Sequence, residues 1–333
     1  MKANLASFPI PHGSLSTILG ASFSGKHVTK KSSPRFDVTL SDGSVLSGEV
    51  DLPDCATAKA NVLLVHGLGS SCHDPAVVRQ ARFLAERGFK VYRLNHRNVG
   101  SGKGKASGFY HGFRGADLHE AIAFLKKSDT QQKWILIGQS LSGNMVMKIA
   151  GGKESSEILR QLGCIGVAAV SPVIDLRSSS LNMHRPMFGV FNKLFLRKIN
   201  SYLSRLGEME EELLSAARRA KKLSQFDENF LAPALGLSSA DDYYERASCR
   251  DVLDNIFLPT EVFLAKDDPI APGTFEILRK TKNSFVKLNI FRFGGHLGFL
   301  EFDLLKRSFT FPIDRHLFEA CERFVSAGGL TQK

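Results

Sequence analysis

The sequence predicts an α/β fold, a mostly parallel central sheet flanked by helices, with one helical insertion late in the chain. Three observations point to it. Short apolar runs alternate with helical patterns from Val62 to Val170, the alternation stops near Pro172, and strand signals resume at Glu261 after a long helical stretch. At 333 residues the chain can bury a large core and is somewhat longer than one compact domain needs, so a single domain with an insertion is expected. Its 43% hydrophobic and 23% charged residues are those of ordinary soluble globular proteins, which speaks against a disordered or fibrous chain.

The elements follow in order. Phe36, Val38 and Leu40 alternate with polar residues, Ser41-Asp42-Gly43 supplies a turn, and a second strand pattern runs to about Val50, which makes an antiparallel hairpin. Val62 to Val65 is wholly apolar, as suits a strand covered on both faces. Asp74-Pro75 starts a helix, with a capping side chain before proline at the first helical position, and Gly88 ends that pattern. Strand Phe89 to Leu94, helix about Ala116 to Lys127, strand Trp134 to Ile137, a helix from Leu141 and strand Ile165 to Val170 come next. Strands separated by helices imply parallel pairing through right-handed crossovers.

From about Met183 to Leu223 the pattern is helical without an intervening strand. Phe188, Phe191, Leu194, Phe195, Ile199, Tyr202 and Leu206 recur there as one apolar stripe. Strand signals return at Glu261 to Ala265 and Val286 to Phe291, and a helix including Leu317, Phe318 and Phe324 closes the chain. The expected organisation is an N-terminal arm over 1–34 and a main domain over 35–333, with the insertion at about 175–245.

Composition narrows the function classes. The 44 Lys+Arg against 33 Asp+Glu give +11, which favours anionic surfaces. A solvated basic surface is the plainer reading, because no basic stretch is interleaved with aromatics on strands and no zinc-finger or helix-turn-helix signature occurs; nucleic acid is not an expected partner. Weak, salt-sensitive association with anionic membranes stays open, since the segment from His184 to Leu223 holds nine Lys/Arg against four Glu. The five cysteines are odd in number and form no Cys-x-x-Cys pair, so a reducing compartment such as the cytoplasm is expected, with no disulfide framework or structural zinc. No apolar run approaches the roughly 18 residues of a membrane span. The first 36 residues lack Asp and Glu and hold seven Ser, as an organellar transit peptide can.

Gly138-Gln139-Ser140-Leu141-Ser142-Gly143 lies where a strand turns into a helix, the setting of a nucleophile elbow. The sharp turn needs small residues two positions either side of the nucleophile. Ser140 has Gly138 and Ser142 there, whereas Ser142 would have Asn144, so Ser140 is the candidate. Ser142 stands where glycine is usual, and a slightly crowded turn is expected. The pentapeptide alone is a weak signal, and its partners supply the weight.

A serine hydroxyl needs a base to take its proton and an acid to orient the base, in the chain order Ser, Asp/Glu, His. Lys266-Asp267-Asp268-Pro269-Ile270 follows one late strand and Gly294-Gly295-His296-Leu297-Gly298 follows the next. Asp268 is preferred because it directly precedes the Pro-Ile turn; Asp267 remains open. Upstream, His66-Gly67-Leu68-Gly69 follows an apolar strand, where the amides of Leu68 and Leu141 can face an oxyanion. Gly20 to His27 nearly matches a phosphate-binding loop, but His27 replaces the metal-binding hydroxyl and the reading is rejected.

With these motifs the sequence resembles the YheT-like branch of the α/β-hydrolases, which includes plant embryogenesis-associated hydrolases and mammalian abhydrolase-domain esterases and lipases. The resemblance runs from about residue 8 to 325. It rests on Phe8-Pro9-Ile10-Pro11, His66-Gly67-Leu68-Gly69-Ser70-Ser71, Asn95-His96-Arg97-Asn98 with Tyr110-His111, Ser140-Leu141-Ser142-Gly143-Asn144, and Phe226-Asp227 through Asp242-Tyr243-Tyr244. Departures are Ser142 for glycine and Gln139 for a frequent aromatic. What the resemblance implies is an α/β-hydrolase fold and a carboxylic-ester hydrolase acting on small-molecule or lipid esters, with the insertion as a cap over the acyl pocket. Alcohol acyl transfer and a non-catalytic binding role are the alternatives. Neither metal nor organic cofactor is expected.

Overall fold

A computed structural model describes residues 7–25, 32–129, 131–183, 189–204, 206 and 209–328. Among these residues the strands form two sheets. In the smaller, β1 (Ser7–Pro9) pairs antiparallel with β10 (Glu301–Asp303), which pairs antiparallel with β11 (Ser308–Thr310). The larger contains β2 (Arg35–Thr39), β3 (Val45–Asp51), β4 (Asn61–Val65), β5 (Lys90–Leu94), β6 (Trp134–Gln139), β7 (Cys164–Val170), β8 (Thr260–Ala265) and β9 (Val286–Phe291). Its order is β2-β3-β5-β4-β6-β7-β8-β9. Only β2 with β3 and β3 with β5 are antiparallel. The predicted hairpin and parallel sheet are therefore present, and the fold is that of an α/β-hydrolase.

Side-chain alternation divides each central strand between two cores. In β4, Leu63 and Val65 enter one cluster while Val62 and Leu64 enter the other, all four with no exposed surface. The first cluster is covered by α3 (Gly115–Lys126), α4 (Leu141–Gly151) and α5 (Lys153–Gln161). The second is covered by α1 (Gly13–Ser24), α2 (Pro75–Ala85) and α13 (Pro312–Gly328). Asp74 caps α2 by accepting from the Ala76 amide at 3.0 Å, with Pro75 in the first turn. Arg79 of α2 forks onto both oxygens of Asp314 in α13 at 2.7 and 3.0 Å, a buried pair that ties the two helices.

Between β7 and β8 lie α6 (Leu176–Asn182), α7 (Gly189–Leu203), α8 (Glu211–Arg219), α9 (Leu223–Phe226), a π-helical turn (Asp227–Leu231), α10 (Ala232–Ala234) and α11 (Ala240–Ala247). The short α12 (Thr274–Leu278) follows β8. Of the predicted stripe, Phe191 and Ile199 are buried, Phe195 and Tyr202 half-buried, and Leu194 exposed; Phe188 lies outside the described residues. These helices make their own core around Phe226, Phe230 and Tyr243. The described cysteines are all free, with only Cys55 exposed. No helix among the described residues is long and apolar enough to cross a membrane.

Candidate active site

Parallel strands deliver the loops at their carboxyl ends to one edge of the sheet, and the candidate residues meet there. Ser140 sits between β6 and α4 with φ 54° and ψ −119°, a conformation that L-residues avoid. Gly138 permits the turn, because a Cβ there would stand 2.2 Å from the Ser142 carbonyl oxygen. His296 Nε2 lies 2.8 Å from Ser140 Oγ, and His296 Nδ1 lies 2.9 Å from Asp268 Oδ2. With the Nδ1 proton donated to that carboxylate, Nε2 is left to accept from the serine. Asp268 Oδ1 also accepts from the amides of Ile270 and Ala271 at 2.8 and 2.9 Å, so the Pro-Ile turn fixes the carboxylate.

Asp267 faces elsewhere. Its Oδ1 accepts from the amides of Gly294 and Gly295, both at 2.9 Å, and so shapes the loop that carries His296. Geometry thus separates the two aspartates that the sequence left open: one touches the histidine ring, the other the two glycine amides that precede it.

The His66-Gly67-Leu68-Gly69 turn packs directly on the elbow. A Cβ on Gly67 would come within 2.8 Å of Ser140 Cβ. Leu68 and Leu141 flank Ser140 on the cavity wall. His66 Nδ1 donates to the Gly67 carbonyl at 2.8 Å, and its Nε2 accepts from the His96 amide at 3.4 Å. Burial lowers its pKa to about 4, so the ring is neutral and braces the turn.

Ser142 resolves the expected crowding by turning inward. Its Oγ donates to the His66 carbonyl at 2.5 Å and receives the His96 Nε2 proton at 2.7 Å, with the Tyr110 hydroxyl at 3.2 Å. His96 stacks on Tyr110 with ring centroids 3.7 Å apart. The hydroxyl that glycine would lack therefore links the elbow to the turn beside it. Asn144 completes the tie on α4: its amide donates to the Ala247 carbonyl and accepts from the Cys249 amide, each at 2.7 Å.

Sequence reasoning missed one support. Helix α1, read as part of an arm with transit-like composition, packs on the His296 loop. Thr17 Oγ1 accepts from the His296 amide at 2.8 Å, and Ser16 Oγ donates to the Gly294 carbonyl at 3.0 Å. Gly13 and Gly20 allow the approach, since a Cβ on either would collide with Asp267 or Gly298 backbone. The signal was present as small residues at positions 13, 16, 17 and 20, one face of a helix. Lys26 and His27 of the rejected phosphate loop lie outside the described residues.

Above Ser140 lies a cavity, partly open to solvent, lined mostly by apolar side chains including Leu176, Phe195, Ile199, Leu223, Phe226 and Ile270. A second space on the His296 side is lined by Ala21, Phe191, Leu194, Phe195, Lys198 and Leu297. Helix α7 roofs both. The Tyr202 hydroxyl pins it, donating to the Arg97 carbonyl and accepting from the Tyr110 amide, each at 2.9 Å.

The sheet order, with helices on both faces, defines a member of the α/β-hydrolase class. The model of the family described as serine aminopeptidase, S33 (Hydrolase_4) matches residues 56–303, and the chain belongs to that family. The chain is 26% identical over 283 residues to the Saccharomyces cerevisiae medium-chain fatty acid ethyl ester synthase/esterase 2, covering 77% of this chain and 60% of that protein. To YheT of Escherichia coli it is 24% identical over 257 residues, covering 76% and 74%. To mouse phospholipase ABHD3 it is 24% identical over 250 residues, covering 74% and 60%. It thus spans about 60% of the length of two of these relatives, and the resemblance to the YheT-like branch holds. Among solved structures, an esterase of Pyrococcus furiosus, Pf2001, superposes with a TM-score of 0.57 over 88% of this chain and 93% of its own at 16% identity. The α/β hydrolase GrgF from Penicillium superposes with a TM-score of 0.56 over 90% and 99% at 15% identity. These two show the shared fold.

Proposed function

We propose that the protein is a carboxylic-ester hydrolase working through an acyl-enzyme on Ser140. The observation that carries this is the hydrogen-bonded chain from Ser140 through His296 to Asp268, at 2.8 and 2.9 Å, beneath an apolar cavity. Ser140 Oγ attacks the ester carbonyl as His296 Nε2 takes its proton. The oxyanion forms against the amides of Leu68 and Leu141, for which no acceptor is found among the described residues. His296 then protonates the departing alcohol, deprotonates a water, and that water releases the acid and restores Ser140. Asp268 holds the imidazole in the required tautomer. The insertion at about 175–245 serves as a cap, with the apolar cavity taking a hydrocarbon chain. The names of the relatives as esterase, lipase and phospholipase support ester substrates of this kind.

A panel of esters of graded acyl length tests the reading. Wild type is expected to release acid well above the uncatalysed rate and Ser140→Ala to be inert; equal rates for the two proteins would overturn it. The second space beside His296 favours one further reading, in which an alcohol replaces water in the second step, as the name of the yeast ester synthase/esterase suggests for that relative. Excess ethanol with an acyl donor would then yield ethyl ester alongside free acid, and acid alone would remove this reading.

A further inference from the structure

The cavity that reaches Ser140 is apolar over most of its wall, but Ser179, Ser180, Asp227 and Tyr244 line it as well. Asp227 opens the π-helical turn and is 6% exposed. Its Oδ2 accepts from the Tyr244 hydroxyl at 2.6 Å and from the Ser180 hydroxyl at 2.9 Å. Among the described residues, no donor reaches Oδ1 and no cation pairs with the carboxyl group. Burial without a counter-charge pushes this carboxyl up to about 7.

A dry, half-satisfied carboxyl group is costly, and cores seldom keep one without a partner. Hydrocarbon filling the cavity would leave Oδ1 in that state, whereas a polar ligand atom would satisfy it. The Tyr244 hydroxyl also lies 2.9 Å from Ser180 Oγ, so a proton held by Asp227 can sit on either carboxyl oxygen. Oδ1 donates when it carries that proton and accepts otherwise, and a hydroxyl group can meet either form.

We propose that Asp227 is a specificity-determining residue that receives a hydroxyl substituent on the hydrocarbon part of the ligand, in the cavity shared with Ser140. The ester-hydrolase reading supplies the class of ligand, so the test avoids turnover. Ser140→Ala protein is titrated with a medium-length straight-chain fatty acid and with its positional hydroxy isomers, each displacing a fluorescent fatty acid. At least one hydroxy isomer is expected to bind about tenfold more tightly than the plain acid, the worth of one buried hydrogen bond to a strongly polar partner. Asp227→Leu in the same background should reverse that order. If the leucine variant does not fold, the isosteric Asp227→Asn decides, with the preference expected to fall at least about threefold. A plain acid that outbinds every hydroxy isomer, or a preference unchanged by the Asp227 substitution, would overturn the proposal. Loss of ester hydrolysis in wild type would count against the ester-hydrolase reading and leave this binding result standing.

Discussion

The edge of the sheet and the helical roof above it are held by different means. At the edge, backbone does most of the positioning: Ser140 is locked at positive φ, Asp268 is fixed by two amides, and His296 is held by Thr17 through its own amide. The roof helix α7 rests on apolar contacts, including the aliphatic stem of Lys198 over Gly69, with a few polar pins from Tyr202 and Asn192. Backbone-held groups keep their geometry when one side chain changes, so substitutions of Ser140, Asp268 or His296 should alter chemistry more than stability. A side-chain-held roof should lose stability and substrate affinity before it loses chemistry.

The largest expected effect is at the edge. Ser140→Ala or His296→Ala should lower ester hydrolysis by at least about 10⁴-fold with little change in Tm, as read from initial rates and thermal melts. Asp268→Asn should cost about 10³- to 10⁴-fold in kcat, whereas Asp267→Ala should cost under about tenfold in rate but destabilise by about 1–3 kcal/mol, since two loop amides lose their acceptor. Equal kinetic losses for the two aspartates would erase the distinction drawn between them.

Smaller effects are expected in the roof and behind the elbow. Tyr202→Phe removes one acceptor and one donor from the roof, and should destabilise by about 1–2 kcal/mol and raise KM more than it lowers kcat. Ser142→Gly restores the commoner residue but strands the His66 carbonyl, and should cost about 1–3 kcal/mol in chemical denaturation while sparing the nucleophile.

Acid should weaken the whole edge. Burial lowers His66 and His119 to about 4 and His111 to about 3, and holds His96 well below its usual range, against 6.5 in the unfolded chain. Depressed values mean that this stability is complete above pH 6.5 and is lost as pH falls through about 4. Asp227, raised to about 7, acts oppositely and offsets one proton. Unfolding near pH 5 should therefore take up protons net, measurable as a rise of stability with pH.

Much of this was legible in the sequence, for identifiable reasons. Strands covered on both faces write themselves as apolar runs, as in Val62 to Val65, and Asp74-Pro75 announces its helix. Ser140, Asp268 and His296 could be picked out because each follows a strand signal, and parallel strands bring their carboxyl-end loops together. What stayed hidden lacks periodic signal. The three strands of the small sheet are three residues each, too short to show alternation. Helix α5 buries only Ser156 and Leu159, so its sequence reads as a polar linker. Helix α1 carries glycine and serine where it meets backbone, a composition that resembles a targeting segment until the His296 loop is seen against it.

The most direct test is covalent labelling with a fluorophosphonate, followed by fragmentation of the peptide that carries both Ser140 and Ser142. A single adduct on Ser140, absent in Ser140→Ala and retained in Ser142→Gly, is the expected result. No adduct on the native protein, or an adduct on Ser142, would contradict the assignment of Ser140 as the nucleophile.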